Sequence, residues 1–574
     1  MRRTLHALRK MVLIGIAAMT TPGGAYVFAD DWPTYQRDNA RSGITSETLG
    51  LPLHLAWVHV PRHAPAPAWP APAKQDIWHE LRELSPLVTY DRAFHVVVAG
   101  DAAYYASSAD DQVYCLDAST GGIRWRFFAE GPVRLAPTIA DGRVYFSSDD
   151  GCAYCLNAAD GALLWKYCPA ELDRRIPGNS RVISHAPART GVLVDNGVAY
   201  FFAGLFPPDG VYRCALDAAT GAVLHVIGDT DASPQGYVLA TPTRLFVPTG
   251  RTAPVMFDRE TLAPLGAVPG PGGAYAILTD DAVVSGPGLR SGNQLDYADP
   301  KTGENVASFP GVRMLVRGDI AYLQSKEEVS AMNRPRYLEV TRELNRQSAV
   351  LNEIVKQRRA LTREQSGERE RLDADIAARE TVIAGIREQQ EACYLWRKPM
   401  PDPYAMILAG DTLFLGGENQ VVALRASDGE QVWRAKVEGK VYGLSAANGR
   451  LFVSSHLGPI YCFTPARIDG QVLRTDASDG PDALWPQDAS SAIYARTAEV
   501  ILAKSGITQG YCLILGAGDG RLAHELAQRS TLRIVCVERD AARAADARKH
   551  LNDAGLYGVR ATVHHVTSDT LPYT

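Results

Sequence analysis

Short runs in which hydrophobic and polar residues alternate cover most of the chain, and one such unit recurs at intervals of roughly forty residues. In each copy an alternating run predicts a strand, a polar turn ending in glycine follows, and a second alternating run predicts another strand. The clearest copies are VYCLDASTGGIRW (113–125), AYCLNAADGALLW (153–165), YRCALDAATGAVLH (212–225) and VVALRASDGEQVW (421–433).

A second turn lies upstream in these units, where Asp-Gly or Asn-Gly stands between apolar runs at 138–148, 192–202 and 444–455. Each unit therefore predicts four antiparallel strands, which is the content of a propeller blade. The last hairpin has no tryptophan strand after it, whereas LHLAWVH (53–59) is a tryptophan strand with no hairpin before it. We predict that this strand completes the last blade and closes a mainly β ring of eight blades, with seven as the alternative. The eight inner hairpins are predicted to start near residues 103, 144, 199, 244, 282, 320, 412 and 451.

The pattern changes to a helical period between residues 336 and 391, where leucine and isoleucine recur at heptad spacing on both sides of Ser366-Gly367. This predicts an antiparallel helical hairpin, a short coiled coil, inserted in the propeller. The hairpin is either an arm that docks a partner or a solvated insertion. A second enlargement, ELDRRIPGNSRVISHAPART (171–190), carries several arginines and either shapes a site at the central channel or forms a solvated loop.

The carboxy-terminal part has a different pattern. Residues 466–488 are polar, with Gly, Asp and Pro, and predict a linker, whereas residues 489–574 alternate helical and strand patterns and predict a parallel α/β sheet. A glycine-rich turn follows the first strand and opens a helix, an arrangement that lets a cofactor approach backbone amides. Glu538 ends the second strand, where a carboxylate can accept hydrogen bonds from ribose hydroxyls. The alternative is a turn whose glycines serve helix–strand packing alone. The candidate cofactor-binding residues are Gly516, Ala517, Gly518, Asp519, Gly520, Glu538 and Arg539.

The amino terminus, MRRTLHALRKMVLIGIAAM, places basic residues before a short apolar run, and YVFAD offers a cleavage site after Ala29. We predict a signal peptide at 1–29 and export to the periplasm or cell envelope, with an uncleaved anchor as the alternative. No transmembrane span is expected beyond this signal. The net charge of −5 and the pI of about 6.2 argue against nucleic acid as a partner. The nine cysteines include a Cys-x-x-Cys spacing at Cys152 and Cys155, a candidate redox pair.

The segment DWPTYQRDNARSG (31–43), followed by the repeats above, resembles the PQQ-binding-like β-propeller family. That family includes quinoprotein alcohol dehydrogenases and an outer-membrane assembly lipoprotein, and the resemblance implies a propeller over residues 30–465. Active quinoproteins of the family carry two adjacent cysteines over the quinone and acidic ligands to calcium. This chain has no Cys-Cys pair and no calcium-ligand motif, so we predict neither bound PQQ nor a metal site. The resemblance instead implies a binding or scaffold module that engages a protein or envelope component through a propeller face and the helical hairpin.

The turn LGAGDGRLA and the segment HHVTSDTLPY resemble motifs of class I S-adenosylmethionine-dependent methyltransferases, which have a Rossmann-like fold. The resemblance implies S-adenosylmethionine as cofactor, with Gly516, Gly518 and Gly520 beside its methionine and ribose, and Glu538 on the ribose. Asp569 would contact the adenine, with Thr567 as the alternative register. Ile514 departs from the family, which often has an acidic residue there.

Only about three of the seven strands typical of this methyltransferase family are visible, so residues 489–574 predict a partial domain without an acceptor pocket, and no catalytic residue is assigned. The chain is then a fragment of a longer protein or carries a vestigial half-domain. The predicted function is an exported propeller that acts as a binding scaffold and carries a cofactor-binding module. The alternative is an active methyltransferase in a longer parent chain, in which the propeller binds the methyl acceptor. A quinoprotein oxidoreductase is the less favoured reading.

Overall fold

The computed structural model describes residues 30–573, except for the segments and single residues at 72–80, 82–85, 87, 179–180, 229–231, 251, 271, 274, 280–281, 288–293, 300–304, 363, 401–402, 468–472, 477–484 and 487. The predicted signal peptide, 1–29, lies outside the described residues. Across the described part, the chain is mainly β, with strands β1–β38 and five α-helices, α1–α5.

Six four-stranded antiparallel sheets follow one another along the chain, each a meander of consecutive strands. The first contains β3 (Val97–Ala99), β4 (Ala102–Ser107), β5 (Gln112–Asp117) and β6 (Ile123–Phe128). The second contains β7 (Thr138–Ala140), β8 (Arg143–Ser147), β9 (Ala153–Asn157) and β10 (Leu163–Tyr167). The third contains β13 (Leu193–Asp195), β14 (Val198–Ala203), β15 (Tyr212–Asp217) and β16 (Val223–Ile227). A separate hairpin, β11 (Arg175–Gly178) and β12 (Arg181–Ser184), lies in the enlarged connection before the third sheet.

The next three sheets have the same order. The fourth contains β17 (Leu239–Ala240), β18 (Arg244–Val247), β19 (Val255–Asp258) and β20 (Pro264–Ala267). The fifth contains β21 (Tyr275–Leu278), β22 (Val283–Gly286), β23 (Gln294–Ala298) and β24 (Asn305–Pro310). The sixth contains β25 (Arg313–Arg317), β26 (Ile320–Gln324), β27 (Glu328–Asn333) and β28 (Tyr394–Pro399).

The remaining propeller strands form one nine-stranded sheet, because the 17-residue strand β32 belongs to two consecutive meanders. Its first half pairs with β31 and its second half with β33. The strand order is β1-β29-β30-β31-β32-β33-β34-β2-β35. These strands are β1 (Ile44–Thr45), β2 (His54–Val60), β29 (Ala405–Ala409), β30 (Thr412–Gly416), β31 (Glu418–Arg425), β32 (Gln431–Ala447), β33 (Arg450–Ser455), β34 (Ile460–Thr464) and β35 (Leu473–Asp476).

The two ends of the repeat array meet in this sheet. Strand β2 pairs antiparallel with β34, with Trp57 opposite Cys462, so the predicted pairing of strand 53–59 with the last hairpin is confirmed. Strand β35 pairs parallel to the other side of β2. The structure therefore has a sheet strand inside the segment 466–488, for which the sequence predicted a linker. Since β35 covers the outer edge of β2, it satisfies hydrogen-bonding groups that the closing strand would leave open.

Tryptophan and glycine residues of neighbouring sheets interlock. The indole Nε1 of Trp125, on β6, donates to the carbonyl oxygen of Ala158 in the next sheet at 3.0 Å. The same ring lies against the turn residue Gly161, where a Cβ would approach the ring to 2.6 Å and where φ is +73°. Glycine is therefore required at this turn both by the backbone and by the neighbouring ring. The same glycine–tryptophan contact is formed by Gly121 with Trp57, Gly221 with Trp165 and Gly429 with Trp396.

A disulfide joins Cys152, in the turn between β8 and β9, to Cys168, just after β10. Cys155, the other member of the Cys-x-x-Cys spacing, is a free thiol buried in strand β9. The predicted candidate redox pair Cys152–Cys155 is therefore not formed, because Cys152 is bonded to Cys168 instead and Cys155 is a buried free thiol.

Two long helices separate β27 from β28, as the heptad pattern predicts. They are α1 (Arg334–Ala360) and α2 (Ser366–Glu391). The side chain of Asn333 caps α1 by accepting from the amide of Arg336 at 3.0 Å. The hairpin joins the propeller core at its base, where Tyr337 stacks on Phe309 with ring centroids 5.0 Å apart.

The carboxy-terminal part forms a three-stranded parallel sheet in the order β36-β37-β38, flanked by three helices. We call it the terminal module. Its core packs apolar side chains of the strands, such as Ile534 and Val563, against α4 and α5. Within the described residues, no helix is long and apolar enough to cross a membrane. The elements are α3 (Ala489–Ser505), β36 (Tyr511–Leu515), α4 (Arg521–Arg529), β37 (Arg533–Glu538), α5 (Ala541–Asp553) and β38 (Ala561–His565).

Candidate functional site

The glycine-rich turn connects β36 to α4 at the carboxyl ends of the parallel strands. Gly516, Gly518 and Gly520 all have positive φ, at +82°, +55° and +85°, so each needs the freedom of glycine. A Cβ on Gly516 or Gly518 would meet nothing within 4 Å, whereas one on Gly520 would lie 3.1 Å from Leu551 of α5. Helix packing therefore explains Gly520 only, and the space beside the other two glycines is open.

Glu538 ends β37 and faces this turn. One carboxylate oxygen accepts from the amide of Gly518 at 3.3 Å, and the other accepts from the amides of Arg539 and Asp540 at 2.9 and 3.2 Å. Burial alone would raise the pKa of Glu538, but these three amide hydrogen bonds hold it below its usual value. A carboxylate offers about four acceptor positions, so an ionised Glu538 can still accept from a hydroxyl group.

The other predicted residues lie around the same edge of the sheet. Arg539 and Asp569 form an exposed ion pair at 3.0 Å. Ala517 is buried and its carbonyl oxygen accepts from the amide of Gly520 at 3.0 Å. Asp519 pairs with Arg521 at 2.8 Å, at the start of α4. The structure thus brings the predicted cofactor residues together at one edge of the sheet.

Trp485 also lies at this edge, although its segment is predicted from the sequence to be a linker and no site role is assigned to it. It is buried, its Nε1 donates to the carbonyl oxygen of Asp519 at 3.2 Å, and its ring packs on His524 and His550. A tryptophan within a polar segment was the one available signal, because an indole is rarely left in water. Trp485 therefore ties the segment before α3 to the glycine-rich turn.

The terminal module docks on the propeller around Glu130, a buried residue in the connection between β6 and β7. The Glu130 carboxylate accepts hydrogen bonds from the side chain of Arg548 on α5 at 2.8 Å and from that of Arg175 on β11 at 2.9 Å. It also accepts from the backbone amide of His565 at 3.0 Å. Burial alone would raise the pKa of Glu130, but Lys166, Arg175 and Arg548 hold it well below its usual value. This charge joins two parts of the chain that are more than four hundred residues apart.

A buried tyrosine continues the docking contact. The hydroxyl group of Tyr557 donates to the carbonyl oxygen of Ala129 at 2.7 Å, and its ring meets the edge of Phe128 at 5.0 Å. The main chain takes part as well, since the amide of Arg175 donates to the carbonyl oxygen of Pro572 at 2.7 Å. Because Tyr557 is only 1% exposed, the module and the propeller share one buried interface here.

The end of α5 forms the second half of the interface. Asn552, itself buried, accepts from the side chain of Gln112 at 2.9 Å. Arg62 donates to the carbonyl oxygens of Asn552 and Asp553, the last of these at 3.1 Å. A cation at this position is favourable because the carboxyl end of a helix carries partial negative charge.

The arginine-rich connection 171–190 is not a simple solvated loop, because two of its arginines form buried ion pairs with the propeller. Arg175 is buried at the docking contact, and Arg189 is buried against Asp149 at 2.9 Å. Asp149 also pairs with Arg134 at 2.7 Å. Burial alone would raise the pKa of Asp149, but Arg134 and Arg189 lower it below its usual value. The connection is therefore fixed by buried ion pairs beneath the terminal module.

Among the described residues, no group of three or more His, Cys, Asp or Glu side chains has a geometry that could hold a metal ion. The predicted absence of a metal site concerns the whole chain and stays a prediction.

A model of the family described as "Outer membrane protein assembly factor BamB" matches residues 71–176 and 393–533. A quinohemoprotein alcohol dehydrogenase from Comamonas testosteroni has a similar structure, with a TM-score of 0.50 at 13% identity over 83% of this chain and 86% of that one. The fold is that of a PQQ-like β-propeller.

BamB from Moraxella catarrhalis also matches, at 16% identity and a TM-score of 0.31, over 64% of this chain and 82% of that one. No curated protein matches the chain. At 13% identity the similarity to the dehydrogenase establishes the fold alone. Neither the family match nor the dehydrogenase match describes a methyltransferase, so the methyltransferase resemblance of residues 489–574 stays a prediction.

Proposed function

We propose that the protein is an exported binding scaffold, in which an eight-bladed propeller carries the terminal module and presents a cofactor site on it. The observation that supports this proposal most is the docking of the module through Glu130, Tyr557 and Arg175. The propeller thus binds the terminal module of its own chain through a buried interface that contains ion pairs. The proposed count of eight is supported by six separate meanders and the two that share β32.

Export is supported by the disulfide between Cys152 and Cys168, since such bonds persist mainly in oxidising compartments. We propose the periplasm or cell envelope as the location. The partner is a protein or envelope component, bound through the propeller surface left free by the module and through the helical hairpin.

The cofactor proposed for the module is S-adenosylmethionine. Its support is the open space beside Gly516 and Gly518 together with the ionised Glu538 that faces them. An approaching nucleoside would meet the open side of Gly516 and Gly518 at the turn and the carboxylate of Glu538 at its ribose. No transfer step is assigned to this chain, because no catalytic group has been identified.

The test is isothermal titration of the intact protein with S-adenosylmethionine, using two glycine variants. Gly518→Ala places a Cβ in the proposed cofactor space. Gly506→Ala is the matched control, because Gly506 ends α3 with φ of +65° and also has nothing within 4 Å of its Cβ position. Both variants carry the same backbone strain, about 1–2 kcal/mol.

We expect one-site binding by the wild type and by Gly506→Ala, and at least tenfold weaker binding by Gly518→Ala. Absence of saturable heat with the wild type contradicts the cofactor proposal and leaves the scaffold proposal standing. Equal affinity of all three proteins means that the ligand does not approach the turn.

A further inference from the structure

A cavity of about 510 Å³ lies between the propeller and the terminal module. The propeller contributes the segment after β2, the turn after β4 and the connection after β6, and the module contributes the start of β37 and the loop before β38. A volume of this size is within the range of small-molecule sites, which favour interfaces between domains. The side chains that matter for its chemistry are Arg62, His63, Ser108, Arg134, Arg181 and Arg533.

The lining of this cavity is strongly basic. Four arginines and one histidine face it, and no carboxylate is among its lining residues. Two of the arginines have acidic partners outside the lining, because Arg134 pairs with Asp149 and Arg181 pairs with Asp111. The side chains that line the cavity are therefore cationic, and the carboxylates that pair with Arg134 and Arg181 lie outside the lining.

The other two arginines have no acidic partner in the described part of the chain. Arg533 donates to the carbonyl oxygen of Val559 at 2.6 Å, and Arg62 donates to the last carbonyl oxygens of α5. Burial and the neighbouring Arg181 lower the pKa of Arg533. Two half-buried guanidinium groups facing one space without a counter-ion are unfavourable, and an oxyanion between them would relieve this cost.

We propose that this interdomain cavity binds a small organic oxyanion, a molecule that carries a carboxylate or phosphate group. Arginine presents paired N–H donors that match both groups. The volume is too large for an inorganic ion alone, since a water molecule occupies only about 30 Å³. A bound anion would contact both the propeller, through Arg62, and the module, through Arg533, and so strengthen the docking.

This site is separate from the glycine-rich turn. Arg533 is the first residue of β37 and Glu538 is the last, so the two sites lie at opposite ends of the same strand. The inference therefore goes beyond the proposed function, and the two can fail independently.

The experiment is isothermal titration of the intact protein at low ionic strength with citrate and, separately, with glycerol 2-phosphate, against sodium chloride at equal ionic strength. We expect one saturable site for at least one of the two anions. Arg533→Ala and Arg62→Ala should each weaken binding about tenfold to a hundredfold, the usual effect of losing a hydrogen bond to a charged group. Gly518→Ala should bind the anion as the wild type does.

The matched control is Arg126→Ala, which removes the same charge from an exposed position on β6 outside the cavity and should leave binding unchanged. If Arg533→Ala does not fold, Arg533→Lys keeps the charge and removes the paired donors, and it should bind several-fold more weakly. Preference for one anion identifies the group recognised. No saturable heat with either anion, wild-type affinity of the Arg533 variants, or an equal loss in Arg126→Ala would each overturn the proposal.

Discussion

Replacing Glu130 by alanine removes the charge on which the docking of the terminal module depends. Glu130 accepts from Arg175 and Arg548 at 2.9 and 2.8 Å, and side-chain exposures are 9% for Glu130, 4% for Arg175 and 15% for Arg548. In Glu130→Ala the guanidinium group of Arg548 stays largely buried without a carboxylate, and that of Arg175 keeps only its pair with the half-exposed Asp173 at 3.1 Å. Removing one partner of such a buried pair costs about 3–5 kcal/mol, a large part of the stability of an ordinary domain.

The assay is urea denaturation followed by far-UV circular dichroism, with hydrogen exchange to locate the loss. Glu130→Gln keeps an acceptor oxygen without the charge, so its loss should be intermediate, because charge-assisted hydrogen bonds are about twice as strong as neutral ones. The control is Glu430→Ala, which breaks an exposed pair with Arg425 that water screens. If Glu130→Ala loses no more stability than Glu430→Ala, the buried ionic docking contact is refuted.

The same contact predicts a pH dependence. The pKa of Glu130 lies well below its ordinary value of 4.5 in the folded protein, so its contribution is complete above pH 4.5 and is lost as the pH falls through the lower folded pKa. The stability difference between the wild type and Glu130→Gln should therefore be constant from neutral pH to about pH 5. It should shrink at more acidic pH, as measured by urea denaturation. A difference that grows on acidification would contradict the assignment.

Three further predictions follow from the propeller. Gly161→Ala should destabilise the protein by about 1–3 kcal/mol more than Gly142→Ala, because both residues have positive φ and only Gly161 faces a tryptophan ring; equal losses in urea denaturation would argue against the interlock. Peptide mapping without reductant should recover Cys152 linked to Cys168, and Cys152→Ser should lower the unfolding free energy by about 3 kcal/mol. Burial lowers the pKa of His59 to about 4, so His59→Gln should lose less stability than the wild type between pH 6.5 and 4.

The inner hairpins of the propeller could be predicted because their signal is local. Each predicted start lies within one residue of the first residue of β4, β8, β14, β18, β22, β26, β30 or β33. Alternating polarity marks every copy, and an Asp-Gly or Asn-Gly turn marks three of them; both are properties of about a dozen neighbouring residues. The glycine-rich turn and Glu538 were predictable for the same reason, since strand, turn and acid follow one another directly.

The docking contacts could not be predicted in this way. Glu130 and Arg548 stand in segments with no shared pattern, and each alone is typical of a solvated charge. Strand β35 and Trp485 lie in a segment whose composition is that of a linker. Their contacts are long-range, because β35 pairs with the edge of β2 and Trp485 donates to the carbonyl oxygen of Asp519 in the glycine-rich turn. Long-range contacts of single residues leave no periodic signal in the sequence.

Residue-resolved hydrogen exchange of the intact protein tests most directly that the propeller holds the terminal module. Among the described residues, two amide hydrogen bonds that cross the interface serve as probes: Arg175 to the carbonyl oxygen of Pro572 at 2.7 Å and His565 to the Glu130 carboxylate at 3.0 Å. We expect both to exchange at least about a hundredfold more slowly than an unprotected amide, and both to lose this protection together in Glu130→Ala. Exchange of the Arg175 amide at the unprotected rate, while the propeller strands stay protected, would contradict the account.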